Sequence, residues 1–209
     1  MTAELQLLTE INNFAQSTPW LHLPMLLLST YAMVVYVVLW VAAFWIARRR
    51  ASPSTMAAVI WAPIGVLLAE LVSHPLGQAV GEKRPCRTMP DIVAIGKCGK
   101  GSSFPSDHAV VAGAVVVGLL LVSRQLLAWV GVLAALLIAF SRLYLGVHWP
   151  HDTLGGLVLG VAVSLAGWLV VRVVLTRLAA GLHRTPLRPL LASTPARTSA
   201  ATPATQVSG

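Results

Sequence analysis

Polar residues along this chain leave five apolar runs, each close to the roughly 20 residues that a helix needs to cross a hydrocarbon layer about 30 Å thick. The first runs from Leu23 to Ile46 and stops at Arg48, Arg49 and Arg50. The second runs from about Met56 to Val80, interrupted by Pro63, Glu70, His74 and Pro75. A third, from about His108 to Val122, stops at Arg124; it is short unless Ser106, Asp107 and His108 form its first turn, which puts those polar groups at the membrane surface. A fourth runs from Leu126 to about Val147, and a fifth from about Asp152 to Leu175, ending at Arg177. The pattern predicts an all-α, polytopic membrane helix bundle of about five transmembrane helices, with residues 1–180 forming a single membrane-embedded domain and no internal repeat.

Two flanking segments behave differently. Leu7, Ile11 and Phe14 fall on one helical face, with Glu4 and Glu10 elsewhere, which reads as an N-terminal interfacial amphipathic helix or else as a frayed end. No basic residue precedes the first run, and that run exceeds a signal core of roughly 7–15 residues, so it is expected to be a retained span. Residues 185–209, rich in Pro, Ala, Thr and Ser without apolar period, are expected to be a disordered tail.

Composition strengthens the membrane reading. Of 209 residues, 56% are hydrophobic and only 11% charged, against about 25% charged in a soluble domain. That excludes a soluble enzyme, a disordered protein and a coiled coil. The net charge of +8 suggests nucleic acid until the charges are placed. Five spans put Arg48, Arg49, Arg50, Arg124, Arg172, Arg177, Arg184, Arg188 and Arg197 on one side with no acidic residue. The positive-inside rule makes that side cytoplasmic and puts the N-terminus and the loop Gly81–Pro105 outside. The basic balance is thus mostly a topology signal, and no nucleic-acid partner is expected.

The remaining polar residues converge on the outer side, where ionisable groups beside spans are functional candidates. They are Glu82-Lys83-Arg84-Pro85, then Phe104-Pro105-Ser106-Asp107-His108, then the stretch from Ser141 to Asp152. Arg84 and Arg142 suit phosphate, because a guanidinium fork meets its oxygens bidentately. Pro105-Ser106 reads as a helix start whose free N–H groups at Asp107 and His108 favour an anion, with the Ser106 hydroxyl as a further donor. His148 and Asp152, four apart, would pair on a helical turn, fixing one ring nitrogen and freeing the other to attack. His108 supplies a second imidazole as general acid. Arginines and backbone dipoles meet the developing charge, so neither metal nor other cofactor is expected.

These residues resemble the motifs of the type-2 phosphatidic acid phosphatase superfamily over about residues 57–172. Its third motif, Ser-Arg-x5-His-x3-Asp, is matched in full by Ser141, Arg142, His148 and Asp152. Its second, Pro-Ser-Gly-His, is matched by Pro105, Ser106 and His108, with Asp107 in place of glycine. Its first, Lys-x6-Arg-Pro, is matched by Arg84 and Pro85 alone; the lysine would fall at Gly77, and Lys83 stands beside the arginine instead. The resemblance implies that His148 is the nucleophile forming a phosphohistidine, that Asp152 orients it, and that His108 protonates the leaving group and then activates water. It further implies phosphate binding by Arg84, Arg142, Ser106 and the Asp107 backbone, with Lys83 as a compensating cation. The Pro-Ser-Asp-His variant and the amphipathic N-terminus resemble the bacterial undecaprenyl-diphosphate phosphatase branch. This implies a cell-membrane enzyme acting on a polyprenyl diphosphate at the outer face. Related branches act on phosphatidic acid, phosphatidylglycerophosphate or other polyprenyl phosphates, and a non-catalytic lipid-phosphate carrier or flippase is the alternative of a different class.

Other residues carry open readings. Glu70, His74 and Gln78 repeat every four residues, as a substrate lining or as hydrogen-bonding glue between spans; Glu70, the deepest, requires a partner or a proton. Cys86 and Cys98, both in the outer loop, form a disulfide or remain two thiols. Trp20, Trp45, Trp129 and Trp149 read as interface anchors, Gly156 and Gly160 as a helix-packing pair, Tyr144 as packing or else as a hydrogen-bond donor, and His151 as a loop histidine.

Overall fold

The computed structural model describes residues 2–123, 125–182 and 186. Apart from Pro186, the tail expected to be disordered lies outside the described residues, as do Arg124, Arg184, Arg188 and Arg197. The described residues form eight helices: α1 (Ala3–Ser17), α2 (Pro19–Thr30), α3 (Ala32–Arg50), α4 (Pro53–Val80), α5 (Pro85–Thr88), α6 (Asp107–Val122), α7 (Leu126–Tyr144) and α8 (Pro150–Leu182). Helices α3, α4, α7 and α8 are long and apolar enough to cross a membrane; α6, with 16 residues, is shorter. At 1.5 Å per residue α6 reaches about 24 Å.

Local chemistry sets most boundaries. Proline opens α4 and α8, where the missing N–H costs nothing. Gly81, at φ 63°, ends α4 in the left-handed conformation and returns its N–H to the Gly77 carbonyl. One boundary departs from expectation: the first apolar run is two helices, broken at Tyr31. No proline or glycine marks that break. Tyr31 leaves helical geometry at φ −98°, ψ 15°, while its N–H still reaches the Leu27 carbonyl.

Helix α6 is the central post, packed most closely between α4 and α8, with α7 and α3 closing the bundle. Small residues permit the approach. A Cβ on Gly156 would lie 2.8 Å from the Ser106 carbonyl oxygen, and one on Gly160 would run into the Val110 carbonyl. The pair therefore packs α8 directly on the α6 backbone. Outward-facing positions are apolar: Leu67 and Leu71 are each 70% exposed and Val170 is 80% exposed, a surface stable only against an apolar solvent. Arg50 at the end of α3 donates to the Val122 carbonyl at the end of α6 (2.9 Å), tying the arginine end together.

The N-terminal helix has two working faces. The expected apolar stripe is only partly packed: Leu7 and Phe14 are exposed, as an interfacial helix requires, while Leu8, Asn12 and Ala15 are buried against the protein. Asn12 fastens α1 to the loop after α5, donating to the Val93 carbonyl (2.9 Å) and accepting from the Val93 N–H (3.0 Å). Tyr144 also does more than pack: its hydroxyl donates to the Thr18 carbonyl (2.9 Å) between α1 and α2.

Candidate functional site

The site is assembled where α4, α6, α7 and α8 end or begin, on the end of the bundle opposite Arg48–Arg50. The start of α8 is its anchor. Trp149 caps the helix, Pro150 opens it, and Asp152 at the third position reaches back with Oδ2 to accept from the Trp149 N–H (2.7 Å), half of a capping box. The same oxygen accepts from the Ser103 hydroxyl and lies 3.3 Å from His148 Nδ1. Nδ1 is also 2.9 Å from the Ser103 carbonyl. Two acceptors facing Nδ1 put the ring proton there and leave the lone pair on Nε2. Nε2 receives a hydrogen bond from Arg84 Nη1 at 2.8 Å. His148 and Asp152 are both almost fully buried.

Arg84, just before the short α5, is held by backbone carbonyls: Nη1 donates to Val147 (3.2 Å) and Nη2 to Ser102 (3.3 Å). Gly99 lies against the guanidinium, where a Cβ would come within 3.1 Å of Cζ. The adjacent Cys98 is disulfide-bonded to Cys86, which closes this loop around the arginine. Burial lowers the Arg84 pKa, with Asp107 and Asp152 nearby acting in the opposite sense; a guanidinium nevertheless stays charged. Burial also holds the His148 imidazole below its ordinary value, opposed by the Asp152 hydrogen bond and reinforced by Arg142 and Arg84. His148 therefore stays neutral with its Nε2 lone pair available.

Arg142, in the last turn of α7, donates through Nη1 to the Ser29 hydroxyl. His108, in the first turn of α6, is 3.1 Å through Nε2 from the Ser29 carbonyl. A carbonyl only accepts, so Nε2 carries the proton and Nδ1 is the nitrogen left to exchange one. Arg142, His148 and Asp107 are near enough to His108 to influence its charge. Ser106 is fully buried and its N–H donates to the Asp152 carbonyl (3.1 Å). The Ser106 hydroxyl, Arg84 Nε and Arg142 Nε are buried with no hydrogen-bond partner. The first N–H groups of α6, at Asp107 and His108, have no carbonyl within the helix to bond. Unpaired donors of this kind, around one uncharged nucleophilic nitrogen, make a receptacle for a tetrahedral oxyanion.

A cavity of about 740 Å³ opens beside Arg84, lined by Lys83, Arg87, Lys100 and Gln78 among others. Lys83 borders this cavity, and its carbonyl accepts from Trp149 Nε1 (3.0 Å), so Trp149 has a specific role within the fold. Gly77 is buried, and a Cβ there would lie 2.9 Å from the Phe104 carbonyl; the position that the motif gives to lysine is closed to any side chain. Lys100 and Arg87, unremarked in the sequence, add positive charge on the same cavity. Of the α4 stripe, His74 is exposed and 3.7 Å from Glu70, Gln78 faces the cavity, and neither bonds another helix among the described residues. Glu70 keeps one carboxylate oxygen buried without a hydrogen bond and lies near Asp107.

Three participants carried no signal in the sequence. Ser103 bonds both His148 and Asp152, Ser29 holds both Arg142 and His108, and Glu4 reaches His151. His151 is not a loop residue: it occupies the first turn of α8, with partners on each ring nitrogen.

A second, apolar groove of about 350 Å³ lies between α3, α4 and α6, bordered by Met33, Tyr36, Val66, Leu67, Val111 and Val115. Its upper border is about one helical turn from Ser29, Glu70 and Asp107.

The PAP2 superfamily pattern matches residues 58–177. The chain is 31% identical over 140 residues to an undecaprenyl-diphosphatase of Sulfolobus acidocaldarius, covering 67% of this chain and 66% of that protein. It is 28% identical to the undecaprenyl-diphosphatase BcrC of Bacillus subtilis, covering 67% and 69% respectively. In structure it is similar to the transmembrane PAP2-type phosphatidylglycerolphosphate phosphatase of Bacillus subtilis, with TM-score 0.58 at 20% identity over 88% of this chain and 90% of that one.

Proposed function

The chain belongs to the PAP2 superfamily of membrane lipid phosphatases, and we propose that it hydrolyses undecaprenyl diphosphate to undecaprenyl phosphate and inorganic phosphate, without a metal, through a phosphohistidine. The observation that carries this reading is His148: Nδ1 faces Ser103 and Asp152, and Nε2 faces Arg84, at the centre of unpaired cationic and hydroxyl donors.

In this mechanism the terminal phosphate takes Arg84, Arg142, the Ser106 hydroxyl and the first N–H groups of α6 as partners. The His148 Nε2 lone pair forms the N–P bond while the P–O bond to the lipid phosphate breaks, and that oxygen takes its proton from His108. Asp152 holds the imidazolium that results. His108, now neutral, removes a proton from water, which attacks phosphorus, breaks the N–P bond and releases phosphate. Donors already in place are worth most where charge grows on the equatorial oxygens.

Two features favour a polyprenyl diphosphate among lipid phosphates. The apolar groove beneath the site offers a path for a prenyl chain, and Lys83, Arg87 and Lys100 supply more positive charge beside Arg84 than one monoester requires. Two undecaprenyl-diphosphatases among the relatives support the same choice. The arginine end, with Arg48, Arg49, Arg50, Arg172 and Arg177, is assigned to the cytoplasm by the positive-inside rule, which favours a site at the outer face of a bacterial cell membrane.

The deciding experiment compares purified protein on undecaprenyl diphosphate and phosphatidic acid, in EDTA, by phosphate release. The expected result is faster release from the diphosphate and loss of release in folded His148→Ala. Preference for phosphatidic acid overturns the substrate, and full activity of His148→Ala overturns the mechanism.

A further inference from the structure

Beside the phosphate site, and sharing Asp152 with it, the described residues hold a cluster of ligating side chains. His151 Nε2 lies 2.8 Å from Glu82 Oε2 and 3.4 Å from Asp152 Oδ1. These three residues each offer a ligand atom within 4.8 Å of the others. Ligand atoms held about 2.0–2.2 Å from one zinc ion stand roughly 3–3.5 Å apart, so the spacing is that of a shared cation. Two independent features point to a ligand. Asp152 is fully buried, and Oδ1 has no hydrogen-bond partner although Oδ2 has three. On the far side of the imidazole, Glu4 Oε1 lies 2.5 Å from His151 Nδ1 and also accepts the His151 N–H at 3.0 Å. The carboxylate on Nδ1 orients the ring as metal-binding histidines are oriented, and the Nε2 proton now shared with Glu82 is the one that a bound cation displaces. The His151 ring stacks on Phe104 and its side chain is 42% exposed, so the cluster is rigid yet open to solvated ions.

We propose that Glu82, His151 and Asp152, oriented by Glu4, form a site for a divalent transition cation of the zinc class, and that its occupation slows turnover. One imidazole and two carboxylates suit a borderline cation better than magnesium, which retains its water. The effect on turnover rests on the function proposed above. A cation on Asp152 Oδ1 withdraws electron density from Oδ2, the oxygen facing His148 Nδ1, and so weakens support for the imidazolium that phosphoryl transfer creates. The cation is a brake, not a participant in the reaction.

The test uses full-length protein in detergent, stripped with chelator and titrated with Zn²⁺ against a chromophoric competitor. One equivalent is expected to bind, at least tenfold more weakly in Glu82→Gln and in His151→Gln. Glu4→Gln, which leaves all three ligands in place, should weaken binding by about 10–100-fold. Equal affinity in wild type and these variants overturns the site. In parallel, Zn²⁺ should lower phosphate release in wild type at concentrations matching its binding, and the inhibition midpoint should rise in Glu4→Gln to the same extent as the dissociation constant. Binding without any change in release overturns the brake. Absence of release from every lipid phosphate, with the binding differences intact, overturns the proposed function while leaving the cation site standing.

Discussion

His148 Nε2 and Arg84 Nη1 are 2.8 Å apart, so the nitrogen proposed as nucleophile is already in contact with the cation proposed to bind the phosphate. One hydrogen bond thus sets both groups of the proposed attack, and the loop closed by Cys86–Cys98 lies around the arginine. Replacing Arg84 by Lys keeps the charge but loses the fork that spans Val147, Ser102 and His148. Arg84→Lys is expected to lower kcat by about 10²–10³-fold, the loss typical of one oriented donor in a transition state. Steady-state phosphate release checks it, with a circular dichroism spectrum matching wild type.

The depressed His148 pKa predicts the acid side of the pH profile. The nucleophile must be neutral, and burial keeps it neutral below the usual histidine midpoint of about 6.5. The acid limb of phosphohistidine formation should therefore fall below that value in rapid-quench measurements. Asp152 favours the charged imidazole, so Asp152→Asn should move the limb to still lower pH while slowing the step. A limb shifted upward in Asp152→Asn contradicts this pairing.

Ser29 is expected to act through its neighbours as a positioning residue. Ser29→Ala removes the acceptor of Arg142 but leaves the backbone carbonyl that meets His108. A fall in kcat of about tenfold, equivalent to roughly 1.4 kcal/mol, is expected with little change in melting temperature. In an Arg142→Ala background the same substitution should add almost nothing, which a double-mutant cycle measures.

Gly160 tests the bundle itself. Its missing side chain lets α8 lie on the Val110 carbonyl of α6. Gly160→Leu should destabilise by about 1–3 kcal/mol or more, the usual cost of overpacking, lowering the melting temperature in detergent. Gly181, where an added methyl group would meet nothing within 4 Å, should accept alanine without loss.

Residue pattern reveals most of this architecture because lipid-facing helices leave a strong signal: long apolar runs bounded by arginine, proline or glycine. The break at Tyr31 escapes that signal because the residues around it stay apolar and no breaker marks it. The His148–Asp152 pairing is legible from a spacing of four residues, since both belong to one capped helix start. Ser103, Ser29 and Glu4 are not, because each meets its partners across 45 or more positions in the chain and two of them bond through a backbone carbonyl. A carbonyl has no letter of its own in a sequence. Gly77 is the reverse case: the motif marks the position, but only packing against Phe104 explains why no lysine fits there.

The dependence of Arg142 and His108 on Ser29 bears on how short a working version of this protein can be. Residues 58–177 contain every motif residue and the whole family match, yet they omit the collar that aims two of those residues. A chain trimmed to the matched stretch would carry all the letters of a phosphatase and hold Arg142 and His108 loosely. The minimal functional unit is therefore expected to include Ser29 of α2, and for this fold the boundary of recognisable ancestry is not the boundary of the catalyst.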